Sequence, residues 1–262
     1  MCAKSKSVVL TKPPILEAVF EMRWELAPIP NSEMRRDVSY PLLYGRLYDR
    51  FKGEYGFVED LPSIQAHSDA SPYVVRHRLR KEQNQWPLIQ VGPGIITINA
   101  SKATYAWESF REEIIRVFEA FYDFYPAHTF PLNILKTELR FINGIEVTNK
   151  EDPLTFISRH MNTNIALNPG LFIPGQAELP SEALTLNLGL KIQNPIGHAM
   201  FGLGSGALEE KPAMLQQMLL QSVGENAPQD LGALDPWLDS MHGIAKHWFE
   251  TLCQGELMKQ FV

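Results

Sequence analysis

Two stretches of the chain, residues 15–26 and residues 134–147, alternate between apolar and polar side chains with a period of two. In the first, Phe20 belongs to the apolar face and Glu21 to the polar face, and in the second Glu138 belongs to the polar face. A period of two with one apolar face is typical of a β-strand that is buried on one side. The sequence therefore predicts two half-buried strands at corresponding places in the chain.

Each alternating stretch opens the same order of elements, which is a strand, a helix, several strands and a second helix. Apolar stripes at helical spacing predict helices at residues 40–55, 101–125, 152–160 and 235–261. Short apolar runs bounded by turn residues predict further strands at residues 64–66, 73–80, 86–91, 95–99, 184–192, 198–203 and 214–223. The repeat lies in the order of elements and not in the residues themselves.

This order predicts an α+β fold, in which a mainly antiparallel sheet carries helices packed on one face. A parallel sheet would need a regular alternation of strands and helices, which the sequence does not have. The prolines at positions 126 and 131 separate two halves, residues 1–126 and residues 127–262, each with strand-helix-strands-helix order. We expect the two halves to form one compact body.

Turn and cap residues mark several element ends. Gly92-Pro93-Gly94 predicts a tight hairpin between two of the strands. Asp-Pro pairs predict the starts of two helices, with Asp152 and Asp235 as N-caps and the prolines at the first helical position.

Composition excludes several classes of protein. The net charge of -6 and a pI near 5.7 do not suit a general nucleic-acid-binding protein, which needs a basic surface. Two cysteines are too few for a four-thiolate metal site and suit a reducing compartment. No apolar run reaches the roughly 18 residues of a membrane span, and none near the start is long enough for a signal peptide. We therefore expect a cytoplasmic protein that does not enter the membrane.

Four segments resemble a known family. They are Pro-Pro-Ile-Leu-Glu-Ala-Val-Phe-Glu at residues 13–21, Trp-Pro-Leu-Ile-Gln-Val-Gly-Pro-Gly at 86–94, Tyr-x-Trp-Glu-x-Phe at 105–110 and Arg-Phe-Ile-Asn at 140–143. In this order they resemble a patchily distributed bacterial family of conserved proteins of about this length, for which no function is established. The match is strongest over residues 13–147. The resemblance implies a bacterial origin and is consistent with mobile or antiviral-defence genes, and it brings no catalytic residues.

Charged residues on the predicted strand faces are the candidate ligand site: Glu21, Arg23, Arg76, Arg78, Arg80, Glu138 and Arg140. One interpretation is a polar cleft in which the arginines bind the phosphate or carboxylate of a small anionic ligand. The other is a solvated sheet face that is held by cross-strand ion pairs. Glu17 with Glu21, or Glu21 with Glu138, would be an acid–base pair only if their surroundings separated their pKa values, and structural ion pairs are the simpler interpretation.

Other patterns do not indicate a cofactor or a metal. Residues 202–207 fit a Gly-x-Gly-x-x-Ala dinucleotide pattern, but two glutamates and a proline follow, so we expect a flexible turn. Asp239 and His242 are three residues apart on a predicted helix, and we expect them on its solvated side, opposite Trp248. We expect neither a cofactor nor a metal ion.

The helix predicted at residues 101–125 carries aromatic residues all around its axis. Such a helix is either buried on several sides or part of an interface. The interface interpretation predicts self-association, such as a homodimer, or a protein partner, with Phe118 or Tyr122 in the contact.

Two functions fit these observations. The first is a non-enzymatic binding or protein-interaction module of a bacterial cytoplasmic system. The alternative is a sensor or enzyme that acts on a small anionic ligand at a charged cleft of the sheet.

Overall fold

A computed structural model of the chain describes residues 10–33, 35–62, 72–147, 151–171, 173 and 183–262. The strand predicted at residues 64–66 lies outside this part. Of the helices in the part described, none is both long and apolar enough to cross a membrane.

The described elements are eleven strands, five α-helices and two short 3₁₀ turns. The strands are β1 (Ile15–Trp24), β2 (Ala27–Pro28), β3 (Arg35–Arg36), β4 (Phe57–Asp60), β5 (His77–Arg80), β6 (Leu88–Gly92), β7 (Ile95–Ser101), β8 (Ile134–Glu146), β9 (Thr185–Gln193), β10 (Ile196–Leu208) and β11 (Lys211–Val223). The helices are α1 (Tyr40–Phe51), α2 (Trp107–Phe124), α3 (Pro153–His160), α4 (Leu231–Leu252) and α5 (Glu256–Lys259). The 3₁₀ turns are Pro169–Leu171 and Gly224–Asn226.

Nine strands form one sheet in the order β4-β5-β6-β7-β1-β8-β11-β10-β9, and every neighbouring pair is antiparallel. The helices pack against this sheet, so the predicted α+β class with a mainly antiparallel sheet is confirmed. The small sheet β2-β3 stands apart from it.

The two halves of the chain place their strands in a corresponding order on either side of the sheet centre. β1 and β8 lie together at the centre, and each is flanked by the last strand of its own half, β7 or β11. From there both halves run outward against the chain order, as β7-β6-β5 on one side and β11-β10-β9 on the other. The boundary that we predict at 126/127 falls between α2 and β8. That the two halves superpose stays a prediction.

The core lies on the face of β1 that carries Phe20 and Trp24, both of which are fully buried. Phe20 meets Phe118 of α2 edge to face at 5.0 Å and Trp237 of α4 at 6.4 Å between ring centres. Trp24 packs on Phe121 of α2, with 5.1 Å between ring centres. α2 and α4 therefore cover the centre of the sheet on one face, because this face holds the apolar residues of the alternating strands.

The cap residues in the sequence predict one helix start correctly and another wrongly. Asp152 caps α3, since its carboxylate accepts hydrogen bonds from the backbone amides of Leu154 and Thr155, as predicted. The prediction that Asp235 caps the last helix is wrong. α4 starts at Leu231, five residues before Pro236, because Asp230 accepts a hydrogen bond from the amide of Ala233, and Pro236 lies inside the helix.

The expectation of a flexible turn at residues 202–207 is also wrong. These residues lie in β10, where they pair with β11 on one side and, up to Gly204, with β9 on the other. The turn comes later, at Glu209 and Glu210, which both have positive φ angles. By contrast, the hairpin predicted at Gly92-Pro93-Gly94 is present, with Gly92 paired to Ile95 and Gly94 at a φ of 75°. A glycine suits this turn because it reaches positive φ without steric cost.

Candidate functional site

The charged residues of the two central strands come together on the face of the sheet opposite α2 and α4. The β1·β8 register places Glu21 directly opposite Glu138 and Arg23 opposite Lys136. The Lys136 ammonium lies 2.7 Å from the Glu21 carboxylate and 2.8 Å from the Glu138 carboxylate, so it bridges the two. Arg23 Nε pairs with Glu21 at 2.7 Å, and Arg140 pairs with Glu138. These five residues form what we call the central ion cluster.

Both carboxylates of the central ion cluster are buried, and each of them has two cationic partners. Glu21 is 8% exposed and Glu138 only 2%. Burial by itself would raise the pKa of Glu21, but the hydrogen bond and charge of Lys136, together with the charge of Arg23, hold this pKa below its ordinary value of 4.5. An incoming anion must therefore compete with a carboxylate for Arg23 or Arg140, which opposes tight binding.

A second ion cluster lies on the same face, with β6 and β7 between it and the central strands. Arg78 and Arg80 of β5 both reach Glu59 of β4, with N–O distances of 3.3 and 2.6 Å. The sequence did not point to Glu59, because it is on a short edge strand whose pairing only the fold reveals. Arg80 also donates to the backbone carbonyl of Gln85 and is 7% exposed, so it has little room for a ligand.

Amide and hydroxyl side chains occupy the space between the two ion clusters. Gln90 donates to Thr97 and Asn99 over 3.1 and 3.2 Å, and it accepts from Arg78 at 3.1 Å. Asn99 in turn donates to the carboxylate of Glu17 at 2.7 Å. The arrangement is a continuous hydrogen-bonded surface, which is how a polar sheet face satisfies its buried groups.

Arg76 does not continue the predicted stripe of three arginines. It precedes β5, and its guanidinium carbon lies 6.0 Å from the ring centre of Tyr40 on α1. The alternation predicted from residue 73 does not hold here, because the strand begins only at His77. The structure thus brings Glu21, Arg23, Glu138 and Arg140 together and leaves Arg76 elsewhere. Anion binding at the charged face stays a prediction.

A cavity of about 390 Å³ lies on the other face of the sheet. Its walls come from the chain before β1, the start of α2, the middle of β8 and the second half of α4. Its aromatic lining consists of Tyr105, Trp107, Phe141, His242 and Phe249. We call this space the aromatic cavity. Its volume falls within the roughly 300–1,000 Å³ that small-molecule sites occupy.

The aromatic rings of this cavity support one another. Trp107 stacks on His242 with 3.8 Å between ring centres and an angle of 8° between the planes. Phe141 lies 6.0 Å from His242 and 6.2 Å from Tyr105. Because each ring is held by a neighbour, the wall is preformed rather than assembled by a ligand.

Three uncharged polar groups also line the aromatic cavity. Asn143 is 4% exposed, and its Nδ2 donates to Gln216 Oε1 at 3.0 Å. Burial, followed by the nearby charge of Lys246, lowers the pKa of His242 to about 4, so its imidazole is neutral near pH 7. Burial raises the pKa of Tyr105 well above its ordinary value, so its hydroxyl stays protonated.

Charged groups occur in the lining as well. Glu108 is exposed, while Lys246 and Glu250 are half-buried and lie 3.9 Å apart. Charges of both signs are thus present, and partial exposure to water weakens their effect on a ligand inside.

The expectation that Asp239 and His242 share the solvated side of their helix is wrong. Asp239 is exposed and pairs with Arg111 of α2, at 3.0 Å from its Nε. His242 is turned toward Trp107 instead and lines the aromatic cavity. The sequence could not show this, because Trp107 lies on another helix far away in the chain.

The predicted contact residues on α2 have different environments. Phe118 is fully buried between Phe20 and the rest of the core. A contact through Phe118 or Tyr122 stays a prediction, and Tyr122 is the more accessible of the two. Tyr122 is half-buried and packs on Phe118 and Phe121, at 6.3 and 5.7 Å between ring centres. The aromatic residues surround the helix because it is buried on several sides.

Three of the four segments that carry the family resemblance contribute to the aromatic cavity. These are the segments that contain Ile15, Trp107 and Asn143. No protein-family model matches the chain, and no curated protein matches it at a significant level. The family resemblance therefore stays a prediction.

Proposed function

We propose that this chain is a non-enzymatic binding module of a bacterial cytoplasmic system and that it holds a small molecule in the aromatic cavity. The observation that carries the proposal is a preformed space of about 390 Å³, lined by aromatic side chains and a few polar groups that converge in it. This combination is characteristic of small-molecule sites.

Two features favour binding over catalysis. His242 is the one histidine in the cavity lining, and its lowered pKa makes it a weak base near pH 7. Within the described part of the chain, no carboxylate forms a hydrogen bond with its ring to orient it for proton transfer. At the charged face, Glu21 is held ionised by Lys136 and Arg23, so it is not a proton donor near neutral pH.

Cavity occupancy can be tested by thermal unfolding with a library of small metabolites. Ala245 is buried on α4 and lines the aromatic cavity, so the variant Ala245→Leu places three extra carbons in the space. Ala233 is exposed on the same helix, and Ala233→Leu is the matched control. A ligand at about 100 times its Kd should stabilise the parent and the control by about 2.7 kcal/mol.

The Ala245→Leu variant should lose that stabilisation while remaining folded. The proposal fails if no compound stabilises the parent protein, or if a compound stabilises Ala245→Leu as strongly as the control. In the second case the ligand binds elsewhere.

A specific observation favours protein interaction as a second candidate function. β9 is an edge strand, and its residues Leu188 and Leu190 are 46% and 41% exposed. Long edge strands with apolar side chains tend to pair with other chains unless they are protected. Sedimentation analysis of the parent and of Leu190→Lys tests this. A complex that the lysine variant abolishes supports interaction through β9, and a parent protein that stays monomeric at high concentration excludes self-association there.

A further inference from the structure

We infer that the aromatic cavity takes a neutral, ring-containing molecule with an N–H group that donates a hydrogen bond to Asn143 Oδ1. The inference rests on the proposed function and adds the chemical class of the ligand. It is drawn from the rings, the charges and the hydrogen bonds of the cavity.

The walls favour a flat ligand. Trp107, Phe141 and Phe249 contribute ring surfaces, and Ile15 and Met218 add apolar side chains next to them. Flat aromatic ligands gain contact area against such walls and stack on or meet the rings edge to face. A polar, flexible ligand would bury its polar groups against surfaces that cannot form hydrogen bonds with them.

The uncharged polar groups of the lining favour a neutral ligand. Asn143 is uncharged, the Tyr105 hydroxyl is protonated, and His242 is neutral near pH 7. An ion next to these groups would lose its hydration without gaining a counter-ion, which is unfavourable. Glu108, Lys246 and Glu250 compensate one another in part and are at least partly exposed, so they select neither sign strongly.

The amide of Asn143 defines the polar contact. Asn143 and Gln216 are direct neighbours across β8 and β11, and Asn143 Nδ2 donates a hydrogen bond to Gln216 Oε1, which leaves Asn143 Oδ1 free to accept one. None of the described residues donates a hydrogen bond to Asn143 Oδ1, and this oxygen is still accessible to solvent in the cavity that Asn143 lines. A ligand that fills the cavity takes water away from this oxygen, and an N–H group of the ligand would replace the lost donor.

Four probes that share one naphthalene ring separate these contributions. They are 2-naphthamide, N,N-dimethyl-2-naphthamide, 2-naphthoate and 2-naphthylmethylammonium, measured by calorimetry near neutral pH on the full chain. The primary amide is neutral and donates, the dimethyl amide is neutral and only accepts, and the other two are charged. We expect 2-naphthamide to bind about tenfold or more tightly than each of the others. Ala245→Leu should abolish its binding, and Ala233→Leu should preserve it.

Any other result contradicts one specific part of the inference. Equal or tighter binding of the naphthoate or the ammonium compound contradicts the neutral class. Equal binding of the dimethyl amide contradicts the hydrogen bond from a ligand N–H group to Asn143 Oδ1. If none of the four probes binds, but a library compound stabilises the parent and not Ala245→Leu, the ligand class is wrong and the proposed function stands. If neither happens, both fail.

Discussion

Lowering the pH from about 7.5 to about 5 should destabilise the protein through His242, and the variant His242→Phe should lack this part of the pH dependence. Burial lowers the pKa of His242 from its ordinary value of 6.5 to about 4, and the charge of Lys246 acts in the same direction. The carboxylates of Glu108 and Asp239 act in the opposite direction and do not outweigh these two effects.

The sign follows from proton binding in the two states. Between the unfolded and folded pKa values of His242, the unfolded state binds more protons, so the free energy of unfolding falls as the pH decreases. Near pH 5 the unfolded imidazole is almost fully protonated, while only about a tenth of the folded molecules carry the proton. At 1.36 kcal/mol per pKa unit this amounts to about 2 kcal/mol, against almost nothing near pH 7.5.

Urea-induced unfolding of both proteins at the two pH values measures the difference. A phenyl ring can keep the stacking on Trp107 but does not titrate, so the parent should lose about 2 kcal/mol more than His242→Phe. Glu21 also makes the fold sensitive to acid, but its ordinary pKa of 4.5 places that loss at lower pH, and both proteins contain it. If the two proteins lose the same free energy within about 0.5 kcal/mol, the argument that His242 is kept neutral in the folded state is refuted.

Three further predictions can be checked by the same unfolding assay near neutral pH. Glu138→Ala leaves two cations of the central ion cluster without their buried carboxylate and should cost about 3 kcal/mol or more, so a loss below about 1 kcal/mol would show that water compensates the cluster. Asp230→Ala removes the N-cap of α4 and should cost about 1 kcal/mol, and an unchanged stability would mean that the helix start frays without consequence. Gly92→Ala should cost at least about 2 kcal/mol, because its Cβ would lie 2.0 Å from a backbone carbonyl oxygen. The matched strand variant Gly189→Ala meets no atom within 4 Å and should change stability by no more than about 1 kcal/mol, so similar effects of the two glycine variants would contradict the steric argument.

The central strands could be predicted because their pattern is local. Alternation in residues 15–26 and 134–147 assigns each side chain to a face, and it correctly placed Glu21 and Glu138 on the polar side of neighbouring strands. The bridging position of Lys136 could not be derived, because it depends on the register between strands more than a hundred residues apart. Local alternation fixes the face of a residue, whereas its partner depends on tertiary structure.

The start of a helix also could not be predicted from residue types alone. Asp230 and Asp235 are both suitable N-caps by residue type, and a proline follows the second directly, which favoured the wrong one. The choice is made by packing, since Leu234 lies before Asp235 and is already buried in the helix. Intrinsic preferences are weak compared with the burial of an apolar side chain.

The aromatic cavity could not be predicted at all. Its walls combine Ile15, Trp107, Asn143 and His242, which are far apart in the chain and belong to different elements. Each of them alone looks like an ordinary core or helix residue. A cavity forms only where separate elements pack together, and the residue spacing within one segment does not predict it.

The position of β1 between β7 and β8 has a consequence for synthesis on the ribosome. β1 ends at Trp24, but β7 starts only at Ile95 and β8 is complete only at Glu146, so both partners emerge long after β1. At about 5–20 residues per second, the delay until β8 is complete is on the order of ten seconds. Until β7 is complete at Ser101 the apolar face of β1, with Phe20 and Trp24, has neither neighbouring strand beside it, and until Glu146 it still lacks a complete β8. We therefore expect the nascent chain to be a good substrate for chaperones that bind apolar extended segments, and residues 15–24 to be the segment that they bind.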